Sequence, residues 1–211
     1  VDREGALDAH AEALLAHREG LAVGRALPAD DRALEDLHPL PRALDDAEVH
    51  AHGVPRLEVG DVVAELLANA KTPVIFAGTG VDRAQANAAL IGLAELLGCP
   101  VIPSMAGRAV MPHDHPLYFH SQSPAADELR RNADVMLVVG SRVGNLDVPF
   151  DKYWGDPAKC RVIHVDVDPR HIGVSRPVAI GMVADARAAL EGLAAKLRGR
   201  KVATHGPADV A

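Results

Sequence analysis

Three short stretches of this chain set polar groups at the ends of apolar runs, where they could hold a phosphorylated or hydroxylated ligand. In NADVMLVVGSR the run closes on Gly140, Ser141 and Arg142: a residue that permits close approach, a hydroxyl, and a guanidinium. The planar fork of an arginine can grip phosphate oxygens in two places or stack on a base. A surface ion pair of Arg142 with Asp147 or Asp151 is the competing reading. In CRVIHVDVDP the run closes on Asp166, Val167 and Asp168. A carboxylate at such a strand end can accept hydrogen bonds from ribose hydroxyls, and alternation along a strand aims Asp166 and Asp168 to one side. One can bind sugar while the other caps the turn opened by Pro169, and capping by both stays open. Gly78, Thr79 and Gly80 follow PVIFA, where backbone N–H groups can face a phosphate. The full GxGxxG is absent because Arg83 stands at the third glycine's place, so a tight strand-to-helix turn explains these glycines equally well.

Other polar clusters carry less. His113-Asp114-His115 lies between Pro112 and Pro116, where adjacent side chains diverge, and is read as a structural loop. Ser121, Ser123 and Ser141 lack the GxSxG of a nucleophile elbow. His50 and His52 lack a cysteine or a helical partner that would make them metal ligands. Cys99 and Cys160 have no CxxC partner and read as buried thiols. No catalytic residue and no metal ligand is assigned.

The elements that must position these groups follow from the pattern of apolar residues. Strands are expected at 73–77, 100–103, 117–119, 135–139, 162–165 and 177–180, alternating with helices ending near 70 and spanning 83–97, 123–131 and 184–198. Unbroken β-branched runs suit a parallel sheet covered on both faces. Parallel neighbours need right-handed crossovers, so the expected fold is α/β: a doubly wound, Rossmann-like, six-stranded parallel sheet with helices on both faces. In such sheets ligands lie beyond the carboxyl ends of the strands, where Gly140, Ser141, Arg142 and Asp166 are placed. Residues 57–199 form that domain. Residues 1–56 hold an amphipathic stretch at 3–20 and then a proline-punctuated acidic segment, read as a helical appendage or interdomain linker. Residues 200–211 are expected to be a disordered tail.

The chain has 211 residues, a formal charge of −7 and only 3% aromatic residues. An acidic chain without a basic cluster is a poor match for nucleic acid or an anionic membrane, and few aromatics argue against base stacking. No signal peptide or membrane span is expected, and the localisation expected is cytoplasmic. Val1 is not a natural start, and the chain reads as a piece of something longer.

Taken in order, KTPVIFAGTGV, LAELLGCPVIPSMAGRAVMPHDHP, NADVMLVVGSR, RVIHVDVDPRHIG and RPVAIGMVADARAALEGL resemble the central domain of thiamine diphosphate (TPP)-dependent enzymes. The likeness is to the acetolactate synthase, oxalyl-CoA decarboxylase and 2-hydroxyacyl-CoA lyase branch, and it covers about 57–197. It implies a DHS-like NAD/FAD-binding fold, a homo-oligomer, and flanking thiamine-binding domains as partners. In some members this domain holds FAD or an ADP moiety. The resemblance then implies that Gly78, Thr79, Gly80, Gly140, Ser141 and Arg142 line the diphosphate side, and that Asp166, Val167 and Asp185 hold the adenosine end. Two departures stand out. Ala184 occupies the place of a glycine before Asp185, and His120-Ser121-Gln122-Ser123 replaces a glycine-rich turn. A methyl or a bulkier turn obstructs close backbone approach of a flavin tail. The family's activating Glu and its GDG…N segment for Mg²⁺ and diphosphate lie in the other two domains and do not occur here. Thiamine diphosphate and Mg²⁺ are therefore expected in the parent enzyme only, and no activity is expected of this chain alone. The alternatives are a free-standing adenine-nucleotide or flavin-binding module, and a scaffold that has lost its ligand.

Overall fold

Where the apolar runs are unbroken, the strands are buried along their whole length. This holds for β1 (Pro73–Ala77), β2 (Val101–Pro103) and β3 (Val135–Val139). A computed structural model describes residues 59–144, 147, 154, 156, 158–200 and 202; the stretch at 3–20 and most of the tail lie outside the described residues. β4 (Arg161–Asp166) is exposed only at its start, and β5 (Ile180–Val183) forms one edge. All pairings are parallel, in the order β2-β1-β3-β4-β5. The doubly wound α/β class is as expected.

Alternate residues of each strand serve two cores. Ile75, Ala77, Leu137, Val139, Ile163, Val165 and Met182 share the larger one with α1 (Val59–Asn69), α3 (Asn87–Leu97) and α5 (Ala186–Leu197). Val74, Phe76, Ile102, Met136 and Val138 face the smaller one, covered by α4 (Pro124–Asn132) and Trp154. Trp154 lies 5.8 Å from the Phe76 ring, and the Arg176 guanidinium stands over the indole at 5.0 Å. Arg130 of α4 is 2% exposed. It donates to the Ser121 carbonyl at 3.0 Å and pairs with Asp127, while burial pushes its pKa down. It thereby ties the turn before α4 to the helix that follows.

Three expectations need correction. Among the described residues the sheet has five strands, not six: residues 117–119 are reduced to a single parallel bridge between Tyr118 and Val101. The Leu117 N–H is taken by His115 Nδ1 and the Tyr118 N–H by the His115 carbonyl, so the ladder cannot extend. The last strand is shifted from 177–180 to β5. Its Gly181 disfavours a strand when read alone, but Ile172 packs so closely that a Cβ there would come within 2.7 Å of its Cγ2. The helix expected at 83–97 begins only with α3, and a separate short helix, α2 (Thr79–Arg83), precedes it; Gln85, at φ +51°, lies in the break between them.

Candidate functional site

Every residue assigned above to the nucleotide lies at or beyond the carboxyl end of a strand. β1 runs into Gly78, Thr79 and Gly80, β3 into Gly140, Ser141 and Arg142, β4 ends at Asp166 beside Val167, and β5 leads through Ala184 to Asp185. β1 and β3 are neighbours in the sheet, yet the chain leaves β1 toward β2 and leaves β3 toward β4 on the other side. Their shared carboxyl edge is a topological switch point, the place where parallel sheets open a crevice.

The glycines at that point meet each other. Gly78 donates to the Val139 carbonyl and Gly80 to the Gly140 carbonyl, both at 2.9 Å. A Cβ on Gly78 would lie 2.2 Å from the Gly140 oxygen, and one on Gly140, at φ +60°, would lie 2.7 Å from the Gly80 Cα. Two of the amides expected to face a phosphate are thus committed to joining the two turns. Ser141 is also turned inward: its Oγ accepts the Val143 N–H at 3.1 Å. Arg142 is exposed, and its guanidinium makes no ion pair among the described residues. Asp147 instead accepts the Met105 N–H at 2.7 Å, and Asp151 lies outside the described residues.

The three carboxylates have separate surroundings. Asp166 is 6% exposed; its Oδ1 accepts the Asp168 N–H at 2.9 Å and the His171 Nδ1–H at 3.1 Å, while Oδ2 makes no hydrogen bond among the described residues. Asp168 caps the short 3-10 helix Pro169–His171 through the Arg170 N–H. The Arg170 guanidinium grips it with both Nε and Nη2 and pulls its pKa down to about 2. Asp185 caps α5, accepting from the Arg187 and Ala188 N–H groups at 2.9 and 3.1 Å. Val167 is half exposed beside Asp166.

The thiamine pyrophosphate enzyme central domain family matches residues 61–193, most of the chain. The chain belongs to that family. Relatives include a sulfoacetaldehyde acetyltransferase of Castellaniella defragrans, 35% identical over 78% of this chain and 27% of its own length. An acetolactate synthase of Mycobacterium bovis is 34% identical over 64% of this chain and 22% of its own. A solved structure from Mycobacterium smegmatis, described as thiamin diphosphate-dependent, superposes with a TM-score of 0.56 at 32% identity, covering 68% of this chain and 28% of that one. The chain thus spans about a quarter of the length of these relatives.

As a TPP-enzyme central domain, this chain gives its departures local explanations. Ser123, in place of an open turn, caps α4 by accepting the Ala126 N–H at 3.1 Å, and the Ser121 carbonyl is held by Arg130. Ala184 is buried against the larger core. Two site residues, His164 and His171, carried no expectation from sequence. Period-two alternation along β4 places His164 on the face of Asp166, which is the signal that could have found it. His171 follows the Asp168-Pro169 turn start by one 3-10 turn, a weaker signal.

Proposed function

We propose that this chain is the central, non-catalytic domain of a thiamine diphosphate-dependent enzyme acting on 2-keto acids or 2-hydroxyacyl-CoA. Within it the domain supports the two thiamine-binding domains and oligomer contacts, and its strand-end crevice holds the ADP portion of a free nucleotide or of FAD. The observation that carries the nucleotide reading is the pairing of an acceptor, Asp166 Oδ2, with a cation, Arg142, both without a partner among the described residues, on the ends of adjacent strands β4 and β3. This donor set fits the group: a carboxylate suits ribose hydroxyls, a guanidinium suits a diphosphate, and the half-exposed Val167 offers an apolar surface to a base. The glycine amides add little, since they bind each other's turns. Asp185 would act as a helix cap first and a ligand contact second.

Thiamine diphosphate, when bound in the parent enzyme, supplies the carbanion chemistry next to a carbonyl. No residue of this chain is assigned to it. Calorimetric titration of the full chain with ADP, FAD and CoA tests the nucleotide reading. Saturable heat with ADP or FAD is expected. Silence with all three would favour the scaffold that has lost its ligand.

A further inference from the structure

Two polar side chains interrupt the apolar inner face of β4, and Asp166 is only one of them. The other, His164, is 3% exposed. Its Nε2 lies 2.8 Å from the Ser141 carbonyl, and its Nδ1 lies 3.4 Å from the Gly173 N–H. A carbonyl only accepts and an amide N–H only donates, so the proton sits on Nε2 and the ring is neutral. Ser141 belongs to the turn that carries Arg142. Gly173 belongs to the connection that carries Asp168 and His171. No backbone hydrogen bond joins residues 141–144 to 167–176 among those described, and the Ser175 hydroxyl adds a side-chain link, donating to the Arg142 carbonyl at 3.2 Å. An apolar side chain of the same size would leave the buried Ser141 carbonyl unpaired and would take from the Gly173 N–H its acceptor on the ring.

We propose that His164 is a positioning residue for the nucleotide crevice: its neutral imidazole fastens the Arg142 turn to the turn beside Asp166, holding the phosphate and ribose contacts at a fixed spacing. The inference rests on the nucleotide reading of that crevice. The titratable groups that act on the ring are Asp166, two positions along its own strand, and His171, from the 3-10 helix that follows β4. Protonation of Nδ1 would remove the acceptor for Gly173 and release one side of the clamp.

The test compares the full chain with His164→Phe and His164→Gln, the glutamine keeping a donor and an acceptor without titrating. Amide hydrogen exchange, read as protection without any ligand, follows residues 141–143 and 171–175; ADP affinity is measured from pH 5 to 8. In His164→Phe both segments should lose protection together and ADP should bind about tenfold more weakly. His164→Gln should restore most of both and should lack the acid-induced loss of protection expected of the unaltered chain. Unchanged protection in His164→Phe, or loosened turns with unchanged ADP affinity, would overturn the proposal. If His164→Phe does not fold, the glutamine variant decides: an acid response identical to that of the unaltered chain overturns it. Failure of the nucleotide reading would show differently, as no ADP binding by the unaltered chain, whatever its exchange pattern.

Discussion

Asp166 and Asp168 stand two positions apart, and the chain uses them differently. Asp168 is engaged by the Arg170 N–H and guanidinium, whereas Asp166 keeps one oxygen out of every hydrogen bond described. If that oxygen receives ribose, Asp166→Ala weakens ADP binding by about 1–3 kcal/mol, the usual loss when a charged hydrogen-bond partner goes. Calorimetry checks it, and unchanged affinity would remove the site. Acid should expose the other two groups in turn. Burial holds the His164 pKa below its ordinary 6.5, so the unfolded chain takes up that proton first, and stability present above about pH 6.5 falls as the pH drops. The Asp168 pKa is depressed to about 2 by Arg170, so its contribution is complete above the ordinary carboxylate value of 3.8 and is lost as the pH falls through about 2. Urea midpoints against pH should show the first step flattened in His164→Gln and the second in Arg170→Ala. Sequence alone left the two aspartates' roles open, because capping and ligand binding ask for the same side chain at the same place.

At the level of elements, what was legible depended on whether a segment's form is decided locally. β1 and β3 match their expected bounds because five consecutive buried positions of β-branched or otherwise apolar residues leave no competing reading. β5 was misplaced because its glycine is there for Ile172, a neighbour brought in by tertiary packing. The Gln85 break between α2 and α3 has no glycine or proline to announce it. The same locality governs the switch point. Gly140 carries a left-handed φ and touches Gly80, so Gly140→Ala should cost at least about 1–2 kcal/mol from the backbone alone, with steric overlap added. Thermal or urea denaturation measures the loss, while Gly92→Ala, on an open face of α3, should leave stability no lower.

For the molecule as a whole, the topology is readable because alternating strands and helices admit few arrangements, and the order β2-β1-β3-β4-β5 is one of them. Residues joined only by folding are less so; His164 needs Ser141 and Gly173, which lie 23 and 9 positions away. The chain matches about a quarter of the length of its relatives, and under the proposed function the thiamine chemistry lies in other domains. Pyruvate supplied with thiamine diphosphate and Mg²⁺ should therefore not turn over on this chain alone. Detectable product from the purified chain would reverse that assignment.

The chain contains one tryptophan. Trp154 rests on Phe76 of β1 and beneath Arg176 of the connection between β4 and β5, so its surroundings join the sheet to that connection. A guanidinium lying over an indole alters the ring's excited state, and any occupant that draws Arg176 aside will change the intensity or colour of ultraviolet emission. These 211 residues thus carry an intrinsic optical probe, with no second indole among them to blur the signal and no label to attach.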